Sequence, residues 1–196
     1  MAFVISHKYK FVYVHIPKTG GTSLCHTKGL NRGYLDNKLG SSDISLGHQH
    51  VSYAGDCDYK KWCSIREPLD RAVSMYYDHI PYYGWKSFDE FCEFTWNTNI
   101  MQKSHILWPQ SWYITDKLSG ELLVDDFIVF ENMKEDIERF LREHNIPVEE
   151  DYPHLQNRKK RSRDLGDYYR GDNEELIREV YAKDFELYEK AGTKPG

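Results

Sequence analysis

The chain has 196 residues, a formal net charge of −5 and a hydrophobic fraction of 40%, which is enough to build the core of a single domain over residues 1–196. Its mean hydropathy of −0.72 and its lack of any long apolar run argue against a membrane span, and the polar residues near the N-terminus favour a cytoplasmic location over secretion. The acidic balance argues against a nucleic-acid partner, and four cysteines without CxxC spacing favour free thiols over a zinc site or a disulfide framework.

The first half of the chain predicts two strands that each lead into a helix. Residues 10–16, KFVYVHI, form a compact β-branched and aromatic run that Pro17 ends, and the hydroxyl-rich stretch beyond it is suited to start a helix. Residues 60–65, KKWCSI, are a second candidate strand. The helix that follows has Pro68 in its first turn, and apolar residues recur through it at helical spacing as far as Ile80.

The rest of the chain predicts a further strand and three helices. The sequence SFDEF, which starts at Ser87, has the pattern of a capping box, and residues 121–130, ELLVDDFIVF, are rich in β-forming residues. Asn132 is the predicted cap of the next helix, and a last helix is expected over residues 173–191. Strands that alternate with helices predict an α/β fold with a mainly parallel sheet.

The sequence VHIPKTGGTS, residues 14–23, follows the first strand with the composition of an anion-binding loop. A strand that delivers a glycine-containing loop to a helix N-terminus directs unpaired N–H groups and the helix dipole at an incoming anion. Lys18 adds a full positive charge, the glycines that follow it let the backbone approach the anion closely, and Thr22 and Ser23 offer hydroxyl donors.

Two other interpretations of this loop are a nucleoside triphosphatase phosphate loop and a purely structural turn. The GxxxxGK[ST] pattern of nucleoside triphosphatases is absent, because Lys18 precedes the glycines and no Lys-Ser/Thr pair closes the loop. The simplest alternative is a strand–turn–helix corner with a surface lysine. Two adjacent glycines alone would not distinguish that corner from an anion site.

The string HIPKTGGTS, residues 15–23, resembles the 5′-phosphosulfate loop of the sulfotransferases that use 3′-phosphoadenosine 5′-phosphosulfate (PAPS), in particular the Golgi-type carbohydrate sulfotransferases and their bacterial and viral relatives. The resemblance implies a P-loop-like three-layer α/β domain in which helices flank the central sheet. It also implies that the residues of this loop bind the cofactor, namely Pro17, Lys18, Thr19, Gly20, Gly21, Thr22 and Ser23.

A second motif resembles the same family. In that family a strand ends in an arginine, the following helix carries a serine eight residues later, and the two side chains bind the 3′-phosphate of the cofactor. The segment IREPLDRAVSMYY supplies Arg66 and Ser74 at this spacing. A guanidinium group matches phosphate oxygens in a bidentate way, and a hydroxyl adds a directional donor. The alternatives are that Arg66 pairs with Glu67 or Asp70 and that Ser74 has no ligand.

The resemblance continues towards the C-terminus. Residues 108–141 are similar to the family's segment that leads into a sheet strand and an acidic FEN helix start. Residues 154–169, HLQNRKKRSRDLGDYY, are similar to the loop that closes over the adenosine phosphates, which makes Arg158, Lys159 and Lys160 candidate cofactor contacts. A solvated run of charge, or a site for another acidic partner, is the alternative for this basic tract.

Lys18 is the expected catalytic cation of the transfer. As in phosphoryl transfer, the bond to the leaving phosphate loosens and negative charge builds up on the bridging oxygen. Lys18 is suited to donate to that oxygen while the N–H groups of the loop hold the 5′-phosphate. PAPS is then the co-substrate and 3′,5′-adenosine bisphosphate (PAP) the product. Because a sulfonate carries less charge than a terminal phosphate, no metal is expected.

The segment LGHQHVSY, residues 46–53, supplies two histidines for the proton of the acceptor hydroxyl. It resembles the heparan-type uronosyl 2-O-sulfotransferases, in which HGHVSF holds the catalytic histidine as its second one. The resemblance implies that His50 is the base and His48 a helper, with Gln49 as a departure from the family's glycine.

Other roles are open for these histidines, and other residues are open as the base. Because alternate residues of a strand face the same way, His48 and His50 could be two ligands of a metal, although no third ligand has an obvious spacing. A purely structural role for both is the other alternative. Further families of this fold use a glutamate as base, for which Glu67 and Glu131 are the candidates.

The predicted function is the transfer of a sulfonate group from PAPS to a hydroxyl acceptor, with a carbohydrate favoured over other small molecules. Two aromatic-rich segments, YYGW at 82–85 and WPQSWY at 108–113, predict either a stacking platform for a sugar or aryl group or a part of the core. Two other classes of protein stay open. One is a P-loop-type nucleotide or metabolite kinase, and the other is a non-catalytic nucleotide-binding module of the same fold.

Overall fold

The computed structural model describes residues 3–21, 48–97, 104–147 and 164–192. These residues belong to two compact units, each with a hydrophobic core of its own. The first unit comprises Met1–Ile65 with Gln110–Asn157, and the second comprises Arg66–Pro109 with Arg158–Gly196. The single domain expected over the whole chain stays a prediction.

The first unit is built on a four-stranded sheet within the described residues. Its strands are β1 Phe3–Ser6, β2 Phe11–Val14, β3 Lys60–Ile65 and β4 Asp126–Val129. They lie side by side in chain order, with β1 antiparallel to β2, and with β3 parallel to both β2 and β4. Together with the helices in the connections, this mainly parallel sheet confirms the predicted α/β class.

Burial of the central strands β2 and β3 explains why their sequences are rich in the apolar residues that predict a strand. All four residues of β2 are fully buried, as the continuous apolar run FVYV indicates for a parallel strand that is covered on both faces. β3 has the predicted bounds. β4 is shorter than the predicted run over 121–130, because Leu122 instead forms an isolated bridge with Thr115.

β1 is a strand that the sequence analysis does not predict. It pairs with β2 so that Phe3 lies opposite Val14 and Ser6 lies opposite Phe11. Between the two strands the chain turns sharply, and Lys10 adopts a φ of 55°, in the left-handed region that tight turns use. A four-residue edge strand carries little periodic signal, so its partner in the hairpin decides its conformation.

Six α-helices occur in the described residues, two of them in the first unit. The helices are α1 Pro68–Tyr83, α2 Phe88–Asn97, α3 Gln110–Ile114, α4 Met133–Glu143, α5 Asn173–Val180 and α6 Ala182–Gly192. In the first unit, α4 packs on the sheet, where Phe140 lies edge-on to Phe11 and Trp62 with ring centroids 5.0 and 4.9 Å away. Asn132 precedes α4 as predicted, but its side chain forms no capping hydrogen bond.

In the second unit the helix starts follow the sequence signals. Pro68 occupies the first turn of α1, and the Ser87 hydroxyl accepts a hydrogen bond of 3.1 Å from the Glu90 N–H at the start of α2. The single last helix expected over 173–191 is wrong, because the helix breaks at Tyr181. The Tyr181 hydroxyl donates to the Leu107 carbonyl at 2.6 Å, a tertiary contact that no local pattern contains.

A buried ion pair lies in the second unit beside this break. Arg71 is 1% exposed and Asp184 is fully buried, with Nη1 and Oδ2 3.9 Å apart. Arg71 Nη2 also donates to the carbonyls of Ile106 and Trp108, at 3.1 and 2.9 Å. Buried charges need such partners, since an unpaired charge would be strongly destabilising.

No disulfide joins the described cysteines, and two of them, Cys63 and Cys92, are buried. Cys57 is half-buried and Cys25 lies outside the described residues, so free, mostly buried thiols stay an expectation for the chain. No helix among residues 3–21, 48–97, 104–147 and 164–192 combines the length and the apolar composition that crossing a membrane requires.

His144 gives the first unit a pH-dependent stability. Its Nδ1–H donates to the Tyr9 carbonyl at 3.0 Å, and within the described residues its buried Nε2 has no hydrogen-bond partner. The ring packs against Phe11, Trp62 and Phe140. Burial lowers the pKa of His144 below its ordinary value of 6.5, with a further lowering by the nearby Lys60 charge.

We therefore expect the free energy of unfolding to decrease as the pH falls from about 7.5 to 5.5. Below pH 6.5 the unfolded chain protonates this side chain more readily than the folded one, so the unfolded state binds more protons and gains stability. His144→Gln has no titrating ring, so the pH dependence that His144 adds to the free energy of unfolding should disappear in this variant. Urea denaturation of both proteins across this pH range measures the difference, and parallel pH profiles would contradict the assignment.

Candidate active site

The loop after β2 turns sharply at Pro17 and Lys18. Lys18 has a φ of 68° and Gly20 a φ of 82°, both in the left-handed region. A non-glycine residue occupies this region at a cost of roughly 1–2 kcal/mol, whereas glycine does so freely. A proline followed by a residue of positive φ is typical of a type II turn. The loop thus holds its half-buried lysine in a conformation that neighbouring contacts have to stabilise.

Thr19 supplies such a contact from inside the protein. Its side chain is fully buried, and its hydroxyl donates to the Ile16 carbonyl at 2.8 Å and lies 2.6 Å from the Ser64 hydroxyl on β3. The Ser64 hydroxyl is also 2.7 Å from that of Tyr13 on β2. Sequence analysis missed Ser64, for which the available signal was a polar residue inside an otherwise buried strand.

Gly20 and Gly21 are explained first by packing between protein atoms. A Cβ at Gly20 would lie 2.7 Å from Cδ2 of Phe130 and would overlap the methyl group of Met133. A Cβ at Gly21 would overlap the ring of His15. Both residues therefore have to be glycine for the loop to pack against its own unit, independently of any anion that the loop binds.

Five of the predicted cofactor contacts lie outside the described residues: Thr22, Ser23, Arg158, Lys159 and Lys160. The helix expected after the loop falls on residues beyond Gly21, outside the described residues.

His48 is held by the backbone of the strand that leads into the loop. Its Nδ1 lies 2.8 Å from the carbonyl oxygen of His15, and the two rings meet edge-on with centroids 4.6 Å apart. Because a carbonyl oxygen only accepts, Nδ1 carries a proton, and the neutral ring has its lone pair on Nε2. The half-buried His48 is thus fixed in the tautomer that accepts a proton at Nε2.

His50 has a capping role, and its two ring nitrogens are both engaged. It is 4% exposed and precedes the 3₁₀ turn Val51–Ala54, where its Nδ1 accepts from the Ser52 N–H at 3.1 Å and lies 2.8 Å from the Ser52 hydroxyl. Its Nε2 donates to the Thr115 carbonyl at 2.9 Å. The lone pair of neutral His50 therefore points at Ser52, and His50 as the base stays a prediction.

An aromatic side chain with a cation over it lies beside His50. Trp112, on α3, is half-buried and meets the His50 ring edge-on at 5.6 Å, and Lys117 Nζ lies 4.5 Å from the centroid of the Trp112 ring. The nearby Asp116 carboxylate accepts the N–H groups of Ser119 and Leu118, and these bonds lower its pKa. In the second half of WPQSWY, Trp112 is thus partly exposed, whereas Ser111 and Tyr113 are buried.

In the second unit Arg66 pairs with Asp70, one of the alternatives weighed from the sequence. Arg66 is 6% exposed, and its Nε donates to Asp70 Oδ2 at 2.6 Å, with Nη2 also in contact with that oxygen. Ser74 lies two turns into α1 and is half-buried between fully buried neighbours, in keeping with its position off the apolar face. Asp70 therefore orients the guanidinium group of Arg66 and places a negative charge beside it.

The two glutamates considered as bases have different settings. Glu67 caps α1, because its carboxylate accepts the Asp70 N–H at 2.7 Å. Glu131 is exposed in the 3₁₀ turn Phe130–Asn132. Among the described side chains, no group of three or more His, Cys, Asp or Glu residues is arranged to hold a metal ion, His48 and His50 included.

The segment YYGW lies partly on the surface of the second unit. Trp85 is buried and stacks on Tyr83 with centroids 4.8 Å apart and planes inclined by 15°. Tyr82 is 80% exposed, Tyr83 is 43% exposed and Phe94 is 40% exposed. One part of the segment is therefore core, and the other part is an exposed aromatic surface.

Comparison with known families matches residues 1–191 to the model described as Sulfotransferase family. No curated protein and no solved structure matches the chain.

Proposed function

Since this chain belongs to the sulfotransferase family, we propose that it transfers the sulfonate group of PAPS to a hydroxyl group, with a carbohydrate as the favoured acceptor. The observation that carries the proposal is the family match over residues 1–191, which includes every residue that the sequence analysis assigns to the cofactor. The kinase alternative gains no support from this match. The cytoplasmic location and the lack of a nucleic-acid partner stay predictions.

The proposed role of Lys18 is to neutralise charge on the oxygen that links sulfur to the 5′-phosphate. Lys18 is half-buried, so the attraction between its ammonium group and that negative charge is stronger than it would be in bulk water. The left-handed backbone at Lys18 supports this role, because strained residues are found where a functional group needs a set position. PAPS supplies an activated sulfonate, and the backbone of the loop residues Pro17, Thr19, Gly20 and Gly21 holds its 5′ end.

The proposed role of Arg66 and Ser74 is to bind the 3′-phosphate. Arg66 is buried and already oriented by Asp70, so a guanidinium group is preorganised before the nucleotide binds. The family resemblance supplies the serine partner eight residues later. Arg158, Lys159 and Lys160 are proposed to close over the adenosine phosphates.

A histidine is proposed to accept the proton of the hydroxyl group. The resemblance favours His50, whereas the tautomers favour His48: of these two residues, His48 donates through Nδ1 to the His15 carbonyl and so has its lone pair on Nε2, while the lone pair of His50 accepts the Ser52 N–H. His50 would have to break its bond with the Ser52 N–H before it could act as a base. We propose His48 as the base, with His50 holding the adjacent turn.

Calorimetric titration with PAP and with ATP tests the nucleotide specificity. We expect PAP to bind at least about tenfold more tightly than ATP, because Arg66 recognises a 3′-phosphate that ATP lacks. Arg66→Ala should lose most of this preference, while Arg178→Ala, which removes an exposed arginine paired with Glu174, should retain it. Tighter binding of ATP than of PAP would favour the kinase.

Lys18→Ala separates catalysis from binding. Transfer of radiolabelled sulfonate to a panel of glycans and phenols should fall by about 100- to 1,000-fold, because removal of one donor to a developing anion typically costs that much. Affinity for PAP should change by less than about threefold, since the lysine acts mainly on charge that develops during transfer. Lys183→Ala, at an exposed position of α6, is the matched control. Equal losses of rate and affinity would make Lys18 a binding residue.

The two histidines are distinguished by the pH dependence of transfer. If His48 is the base, His48→Ala should reduce turnover by about 100-fold or more and remove the acidic limb of the rate profile, with PAP affinity retained. His50→Ala should keep that limb and lower the thermal midpoint, because it removes the cap of the 3₁₀ turn. The reverse pattern would assign the base to His50. Full activity in both variants would exclude a histidine base.

A further inference from the structure

A chain of buried hydroxyl groups joins the sheet to the candidate loop. The hydroxyls of Tyr13 on β2 and Ser64 on β3 are 2.7 Å apart, and those of Ser64 and Thr19 are 2.6 Å apart. Thr19 then contacts the carbonyl oxygen of Ile16 at 2.8 Å. All three side chains are fully buried. We call Tyr13, Ser64 and Thr19 the hydroxyl chain.

The direction of every hydrogen bond in the hydroxyl chain follows from its last member. A carbonyl oxygen only accepts, so the single proton of the Thr19 hydroxyl points at Ile16. The short contact between Thr19 and Ser64 then requires Ser64 to donate, which commits the proton of Ser64. Tyr13 must therefore donate to Ser64. One orientation of all three hydroxyls satisfies the network, and such buried networks favour a single conformation.

The last bond of the hydroxyl chain spans the turn that carries the candidate catalytic lysine. It joins Ile16 to Thr19, so the residues it encloses are Pro17 and Lys18. Lys18 has a φ of 68°, which a lysine rarely adopts without support. Thr19 is anchored to the interior of the sheet through Ser64, and it also bonds to Ile16. The turn between Ile16 and Thr19 is therefore held at both ends.

We infer that the hydroxyl chain positions Lys18 for sulfonate transfer. Thr19 and Ser64 are the positioning residues, and Tyr13 holds the Ser64 hydroxyl in place. The role in transfer rests on the proposed function, whereas the role in holding the turn does not. The side chain of Thr19 thereby acts on the loop from within and is not a ligand of the nucleotide. Ser64 is a functional residue of the β3 strand that neither the family motif nor the loop sequence includes.

Matched substitutions at Thr19 test this inference. Thr19→Val keeps the shape of the side chain and removes the hydroxyl, and Thr19→Ser keeps the hydroxyl and removes the methyl group. Ser64→Ala interrupts the middle of the hydroxyl chain. Thr95→Val is the control, because Thr95 is also fully buried but its hydroxyl has no hydrogen-bond partner within the described residues.

The first measurement is hydrogen–deuterium exchange of the loop amides at residues 18–21 in the full-length protein without nucleotide. Thr19→Val and Ser64→Ala should exchange these amides at least about tenfold faster than the parent, and Thr19→Ser and Thr95→Val should resemble the parent. If Thr19→Val does not fold, Tyr13→Phe serves instead and should accelerate exchange about two- to fivefold. Unchanged exchange in the folded variants would overturn the inference.

The second measurement separates turnover from nucleotide affinity. Thr19→Val and Ser64→Ala should lower turnover by about 10- to 100-fold, which is what a displaced catalytic group costs, while PAP affinity changes by less than about threefold. Thr19→Ser should recover most of the rate. Parental turnover in Thr19→Val, or equal losses in Thr19→Val and Thr19→Ser, would overturn the positioning role. If the parent protein neither binds PAP nor transfers sulfonate, the proposed function fails, and the exchange measurement alone decides whether the hydroxyl chain holds the turn.

Discussion

The parallel pairing of β2 with β3 is the constraint on which the rest of the candidate site depends. In register, Val14 lies beside Cys63, so the two strands end at the same edge of the sheet. Ser64 then comes next to the start of the loop, where its hydroxyl reaches Thr19. Two segments separated by more than forty residues are thus joined by a hydrogen bond of 2.6 Å.

Polar groups inside the first unit are largely satisfied by one another, and this makes the interior specific as well as stable. The hydroxyl chain has one orientation that satisfies all its members. Asp126, at the start of β4, accepts from Arg139 at 2.8 Å and from Lys60 at 3.3 Å. Networks of this kind penalise any other register of the strands, because a slipped strand would bury its polar atoms without partners. The exceptions among the described residues of this unit are three ring nitrogens, His7 Nε2, Trp62 Nε1 and His144 Nε2, and burial of the His144 ring makes stability depend on pH.

The loop sequence PKTGG is explained by packing before any chemistry is assigned to it. The glycines of PKTGG are required by Phe130, Met133 and the His15 ring before any ligand is considered. Thr19 faces the interior, and the left-handed backbone of Lys18 fits the proposed functional position. One short loop sequence can therefore be constrained for two physical reasons at once, packing and, under the proposed function, substrate binding.

Local patterns in the sequence determined the elements whose signal lies within a few residues. The central strand Lys60–Ile65, the proline start of α1 and the Ser87 cap are of this kind, and so are the candidate residues that belong to contiguous motifs, such as Lys18 and His50. The match to the sulfotransferase family agrees with what those motifs indicated.

Tertiary structure alone decided the features that need distant partners. The edge strand β1 depends on its hairpin with β2, the Tyr181 hydroxyl beside the helix break bonds to the distant Leu107 carbonyl, and Ser64 reaches Thr19 only because the loop folds beside it. The tautomers of His48 and His50 likewise cannot be predicted from the sequence HQH. The carbonyl of His15 sets the tautomer of His48, and the carbonyl of Thr115 sets that of His50. The physical reason is common to all of them: a hydrogen bond is directional and short, so its partner is known only once the backbone has brought both atoms within 3 Å.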